Sequence, residues 1–181
     1  KGAINEVNVV NEIVELNPDL LVCYGSSLIK SELLTKFENK FLNVHLGLSP
    51  YYRGSGTNVW PLINLEPDMV GATFMYIDAG IDTGEIIHQI RADIFLGDSP
   101  HTIGNRLIRK MTSTYAEIIC NFPCLESEKQ HVNEGKLYLQ KDFTSESCRQ
   151  LYLNLEQGMI ENYMNSSKQL PYIVNNHGLL K

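Results

Sequence analysis

The segment FLNVHLGLSPYYRGSGTNVW, residues 41–60, decides how this chain is read. It opens as a strand, yet Asn43 and His45 sit two residues apart inside it. Side chains at i and i+2 of a strand point to one face, so a carboxamide and an imidazole address the same spot. A strand built only for packing would alternate apolar and solvated residues. An amide N–H donates without changing charge, and an imidazole donates or exchanges a proton near neutral pH. The pair suits polarising a carbonyl and stabilising the oxyanion that forms on attack. Beyond it the chain breaks into Gly, Ser, Pro, Tyr and Arg53, the composition of a loop.

Outward from this segment the elements alternate. Val7, Val10, Ile13, Val14 and Asn17 have helical spacing, with Asn5 as a plausible N-cap and Pro18 as the stop. DLLVCYG (19–25) reads as a buried strand of a parallel sheet, and SELLTKF (31–37) as a short helix. Downstream, GATFMYI (71–77) and EIIHQIRADI (85–94) read as strands joined by the turn-forming DAGIDTG. GDSPHTIGNRLIRKMTSTYAEIIC (97–120) is the clearest helix, with Ser99 as N-cap, Pro100 at its first position, and an apolar face from Ile103 to Ile119. The pattern predicts an α/β, Rossmann-like fold whose mostly parallel sheet is flanked by helices. Ligands of such sheets collect beyond the carboxyl ends of strands, which places Gly25–Lys30 and Gly47–Thr57 near a site.

KLYLQKDFT (136–144) reads as a strand and turn, and Cys148, Leu151, Tyr152, Leu155, Met159, Ile160 and Tyr163 space a terminal helix over 145–164. Tyr152, Met159 and Tyr163 are core contacts of that helix or, alternatively, a homodimer face. A less ordered tail is expected from Asn165.

The chain has 181 residues, 43% hydrophobic and 20% charged, enough for one domain with a sizeable core and a small appendage. A net charge of -6 without a Lys/Arg run argues against a general nucleic-acid surface. Cys23, Cys120, Cys124 and Cys148 form no paired framework; Cys120 and Cys124 with His131 nearby could suggest a metal, but zinc sites usually draw four ligands, from recognisable C-x2–4-C and H-x3–5-H spacings, so no metal is expected. Reduced thiols, no apolar run of membrane-spanning length and no visible signal peptide suggest a cytoplasmic protein.

The Asn–His pair needs a group to manage the nucleophile's proton. Asp78 and Asp82 are the candidates, since a carboxylate beside an attacking amine can accept its proton. Singly, each signal has a plainer reading. His45 could be structural, Asn43 could bond neighbouring backbone, both aspartates could be turn formers, and Arg53 could be a surface charge.

Taken together, LNVHLGLSPYYRGSGTNVWPLI followed by GATFMYIDAGIDTGEIIHQ closely resembles the folate-dependent formyltransferase family over about Ile4 to Ile119. That family includes glycinamide ribonucleotide, methionyl-tRNA and nucleotide-linked amino-sugar formyltransferases. The resemblance implies N10-formyltetrahydrofolate as donor and a primary amine as acceptor. It matches Asn43, His45 and Asp82 to the catalytic residues; Asp82, not Asp78, is the catalytic aspartate. It also implies donor binding by Ser27, Leu28, Ile29, Asp78, Ala79 and Gly80, and an acceptor-facing loop of Tyr51, Tyr52, Arg53, Gly54, Ser55, Gly56 and Thr57. Residues 1–124 would form a catalytic domain lacking the strand–helix units with which family members usually begin, and 125–181 an extension.

The family's Ser-Leu-Leu-Pro loop reads Gly47-Leu48-Ser49-Pro50 here. A methionyl-tRNA enzyme carries a long basic C-terminal domain, which this chain lacks, so a nucleotide-linked amino sugar is the first choice of acceptor. Glycinamide ribonucleotide and methionyl-tRNA are alternatives. A formyltetrahydrofolate hydrolase is disfavoured by Leu46, where such enzymes tend to carry a second His. A catalytically silent folate- or partner-binding domain is the non-enzymatic rival.

Overall fold

The computed structural model describes residues 2–122, 124–131, 135–167, 170–176 and 179. Four strands, β1 (Leu21–Tyr24), β2 (Phe41–His45), β4 (Gly71–Tyr76) and β5 (Ile86–Arg91), form one sheet in the order β1-β2-β4-β5. β3 (Tyr52–Gly54) and β6 (Lys136–Tyr138) form a second, two-stranded sheet. The helices are α1 (Val7–Leu16), α2 (Ser31–Lys36), α3 (Trp60–Ile63), α4 (Pro100–Asn121), α5 (Ser145–Glu156) and α6 (Met159–Met164).

β2 has apolar residues on both faces because both are covered. Leu42 and Val44 join Ala72, Phe74 and Ile87 against Ile103, Leu107, Met111, Tyr115 and Ile118 of α4. Phe41 packs on the other side with Val10 of α1, and Leu33 and Phe37 around α2. Each such side chain removed from water stabilises the fold by roughly 1.5–3 kcal/mol before entropy is counted. By alternation, Asn43 and His45 share the face of Phe41, opposite α4. α4 begins at Ser99, whose hydroxyl accepts from Thr102 N, while Ile119 at its far end is 38% exposed.

Strand directions depart from the mostly parallel expectation. β1 and β2 are parallel, whereas β2–β4 and β4–β5 are antiparallel. Residues 77–85 are too few for the crossover that parallel neighbours need, so β4 and β5 close as a hairpin. β1 is an edge strand, half-buried rather than buried, with Val22 and Tyr24 exposed. Asn5 is not a cap: Glu6 holds that position, and the Asn5 amide ties down the loop after β1 by giving a proton to Leu28 O and accepting from Lys30 N, both at 2.8 Å.

The expected terminal helix is two helices, broken at Gly158, whose φ of 79° is left-handed. Leu151, Met159 and Ile160 are buried and Tyr152 is exposed. Where described, the tail after Asn165 is pinned rather than loose. Val174 is buried and exchanges hydrogen bonds with Gln89 of β5, and Asn176 N donates to His88 Nδ1. Among the described residues, no helix is long and apolar enough to cross a membrane.

Candidate active site

β1 and β2 run in parallel, with Cys23 beside Asn43, so the loop after β1 leaves at the His45 end of the sheet. The loop carrying Asp82 starts at the other end, because Tyr76, the last residue of antiparallel β4, pairs with Leu42. It then folds back: Ile77 packs with the Phe41 cluster, and Asp82 reaches His45 with its Oδ2 3.3 Å from Nδ1. Asp82 adopts a left-handed φ of 53° there.

His45 is buried, and the donors and acceptors around it fix its tautomer. Thr57 Oγ1 gives its one proton to Leu46 O at 2.6 Å, so it faces His45 Nε2, 3.2 Å away, as an acceptor. Tyr52 O, 3.0 Å from Nε2, can only accept. Nε2 therefore carries hydrogen, and Nδ1 faces Asp82. Asp82 Oδ2 also accepts from Gly54 N at 2.9 Å. At 3.3 Å, Nδ1 and Oδ2 are close enough for a proton on either atom to bridge them. Gly47 is required beside it, since a Cβ there would fall 2.5 Å from His45 Nε2 and 2.7 Å from Tyr52 O.

Asn43 is oriented from β1. Cys23 Sγ donates to Asn43 Oδ1 at 3.4 Å, which leaves the Nδ2 hydrogens as the group available to a ligand. Burial pushes the Cys23 thiol pKa up, opposed by the Ser26 hydroxyl, so the thiol stays protonated and remains a donor.

Asn43, His45 and Asp82 line one cavity of about 700 Å³ together with Ser27, Leu28, Ile29, Asp78 and Gly80. Asp78 accepts from Gly80 N at 2.9 Å and from Thr83 Oγ1 at 2.7 Å, and so shapes its own loop. Ala79 is exposed and lies off the cavity wall. Of the Tyr51–Thr57 loop, Gly54, Ser55, Gly56 and Thr57 reach the cavity, whereas Tyr51, Tyr52 and Arg53 do not. Tyr51 OH donates to Tyr172 O, Arg53 is half-buried, and the Tyr52 ring is buried against Tyr138 and Trp60, leaving its carbonyl to act. Cys23 and Thr57 support the two polar residues of β2, and Tyr138, Leu139 and Gln140 contribute wall from far along the chain. No group of three or more His, Cys, Asp or Glu side chains is placed to hold a metal among the described residues.

In this α/β fold an amide, an imidazole and a carboxylate converge on one cavity, an arrangement suited to polarising a carbonyl and stabilising an oxyanion. The profile of the formyl transferase family matches residues 3–119. The chain is 30% identical over 159 residues to methionyl-tRNA formyltransferase of Caldanaerobacter subterraneus subsp. tengcongensis, covering 87% of this chain and 48% of that enzyme. The crystal structure of formyltransferase PseJ from Anoxybacillus kamchatkensis, in complex with UDP-4,6-dideoxy-4-formamido-L-AltNAc and tetrahydrofolate, superposes with a TM-score of 0.65 at 27% identity, over 79% of this chain and 73% of that one. Phosphoribosylglycinamide formyltransferase from Bacillus halodurans superposes with a TM-score of 0.54 at 28% identity, over 60% and 56%. The chain belongs to the formyl transferase family. It spans just under half the length of the curated relative named above.

Proposed function

We propose that this protein transfers a formyl group from N10-formyltetrahydrofolate to a primary amine, and that the acceptor is the amino group of a nucleotide-linked sugar. The observation that carries the reading is the Asn43–His45–Asp82 cluster at the wall of a single cavity. The cavity's size is that of sites for compact organic ligands, and Leu28, Ile29, Met75, Ile77 and Ile81 offer apolar surface to a flat ring system. When bound, the donor supplies the formyl carbon that the acceptor nitrogen attacks.

Asn43 donates from Nδ2, and His45 from Nδ1, to the formyl oxygen as negative charge develops on it. These donors are fixed beforehand by Cys23, Tyr52 O and Thr57, so little reorganisation is needed during the reaction. Asp82 accepts the proton of the attacking amine and returns it to N10 of the donor as the bond between the formyl carbon and N10 breaks. Ser55, Gly56 and Thr57 face the acceptor.

The sugar acceptor is favoured by the structural relative bound to a UDP-linked formamido sugar, and by a chain whose net charge is -6. Methionyl-tRNA, the acceptor named for the curated relatives, would call for a cationic surface on which to release counterions. Four free cysteines among the described residues suit a reducing, cytoplasmic setting.

The test is incubation of the full-length protein with N10-formyltetrahydrofolate and a panel of amines, following tetrahydrofolate release, with His45→Ala in parallel. Release that requires an amino-sugar nucleotide and is lost in the variant supports the reading. Release without amine points to hydrolysis, and release only with methionyl-tRNA moves the acceptor to tRNA.

A further inference from the structure

We propose that Tyr138 is a positioning residue for the His45–Asp82 pair, acting from outside the segment that the family profile matches; this rests on the formyl-transfer reading above. Both members of the pair are held by backbone groups of one short strand. Tyr52 O takes the hydrogen of His45 Nε2, and Gly54 N gives its hydrogen to Asp82 Oδ2. β3 is not part of the four-stranded sheet, and its ladder partner is β6, in the register Tyr52↔Lys136, Arg53↔Leu137 and Gly54↔Tyr138. Flanking bonds close both ends, from Lys136 N to Tyr51 O at 3.0 Å and from Ser55 N to Tyr138 O at 2.8 Å.

Tyr138 is the anchor of that ladder. Its ring lies parallel to that of Tyr52 with centroids 5.6 Å apart, and it stacks on Trp60 at 4.5 Å. Its hydroxyl accepts from Asn64 Nδ2 at 2.8 Å, and the same amide donates to Tyr52 OH at 2.9 Å. The two strands touch without an intervening side chain: a Cβ on Gly54 would fall 2.1 Å from Tyr138 O. A shift of the Tyr138 ring is therefore transmitted through Tyr52 and Gly54 to both working side chains at once. A purely structural tyrosine would cost stability while leaving the His45 tautomer untouched, which separates the two roles.

The experiment compares the full-length protein with Tyr138→Ala and Tyr138→Phe, reading the imidazole nitrogen resonances of His45 without any substrate, then kcat. In Tyr138→Ala the hydrogen-bonded Nε2–H signature is expected to be lost, and kcat to fall about a hundredfold, as misplacement by about 1 Å does. Tyr138→Phe, which keeps the stack, is expected to retain the signature and most of kcat. Tyr138→Leu, which preserves apolar volume without the stack, is read in the same way if the alanine variant does not fold. A folded Tyr138→Ala or Tyr138→Leu with an unchanged His45 signature overturns the proposal. If the unsubstituted protein transfers no formyl group to any amine, the formyl-transfer reading fails, while the resonances still decide the positioning role.

Discussion

His45 and Asp82 meet with Nδ1 and Oδ2 3.3 Å apart, and each is gripped from behind by the same strand, His45 by Tyr52 O and Asp82 by Gly54 N. Two groups in contact and held by one strand are expected to act as a unit, with contributions that are not additive. His45→Ala and Asp82→Asn are each expected to lower kcat/KM by about 10²–10⁴-fold, the range of a single acid–base group. The double variant is expected to fall little below the worse single one. Steady-state kinetics on the full cycle checks this, and simple multiplication of the two losses would show the residues working independently.

Cys23 orients Asn43 through a weak S–H donor, and so bears on rate more than on binding. Loss of one modest hydrogen bond is worth about 1 kcal/mol, or roughly fivefold. Cys23→Ala is expected to lower kcat by about that factor with donor KM unchanged, and Cys23→Ser, which keeps a donor, to recover most of it. Equal losses in both variants would assign Cys23 to packing instead.

A second acid group reports on stability rather than chemistry. Arg106, bonded at 2.8 Å to both oxygens of Asp98, holds that carboxyl down at about 2 against its ordinary 3.8; burial opposes this, and the Phe95 N–H and Thr102 hydroxyl reinforce it. The folded value is depressed, so the stability this group supplies is complete above about pH 4 and is lost as pH falls through about 2. Asp98→Asn is therefore expected to melt below the unsubstituted protein at pH 6. The two melting temperatures should converge between pH 4 and 2, as circular dichroism would register. A gap independent of pH would mean that the carboxylate's charge plays no part.

Local rules made some of this architecture legible in the sequence. The two-residue period of a strand puts Asn43 and His45 on one face, and Ser99 with Pro100 marks the start of α4 because helix ends have their own chemistry. What could not be read was non-local. The backward fold of the Asp82 loop depends on β4 running antiparallel to β2, and strand direction leaves no residue signature of its own. The resemblance placed Tyr52 in an acceptor-facing loop, but its ring is claimed by Trp60 and by Tyr138 from a distant strand. Cys23 gave no sign of its role, since a cysteine on a strand reads as a small apolar residue until its neighbour in the next strand is known.

The loop that follows His45 is held by a buried polar network, and Gln89 is its hub. Its Nε2 donates to Ser49 O at 2.7 Å and Thr73 Oγ1 at 2.8 Å, and its Oε1 accepts from Val174 N at 3.0 Å. Thr73 Oγ1 in turn accepts from Ser49 N and donates to Gly47 O, so the residues directly after the imidazole are fixed from below. Gln89→Met keeps the volume but strips Ser49 O and Val174 N of these partners in a buried setting, where each lost partner costs about 1–3 kcal/mol. Urea unfolding is expected to show a loss of about 3 kcal/mol. The Val174 amide should exchange faster with solvent by more than global destabilisation explains, because the tail there loses one of its ties to β5. A stability loss of a few tenths of a kcal/mol, with Val174 still protected, would mean that water replaces the carboxamide at no cost and that the network does not hold the His45 loop.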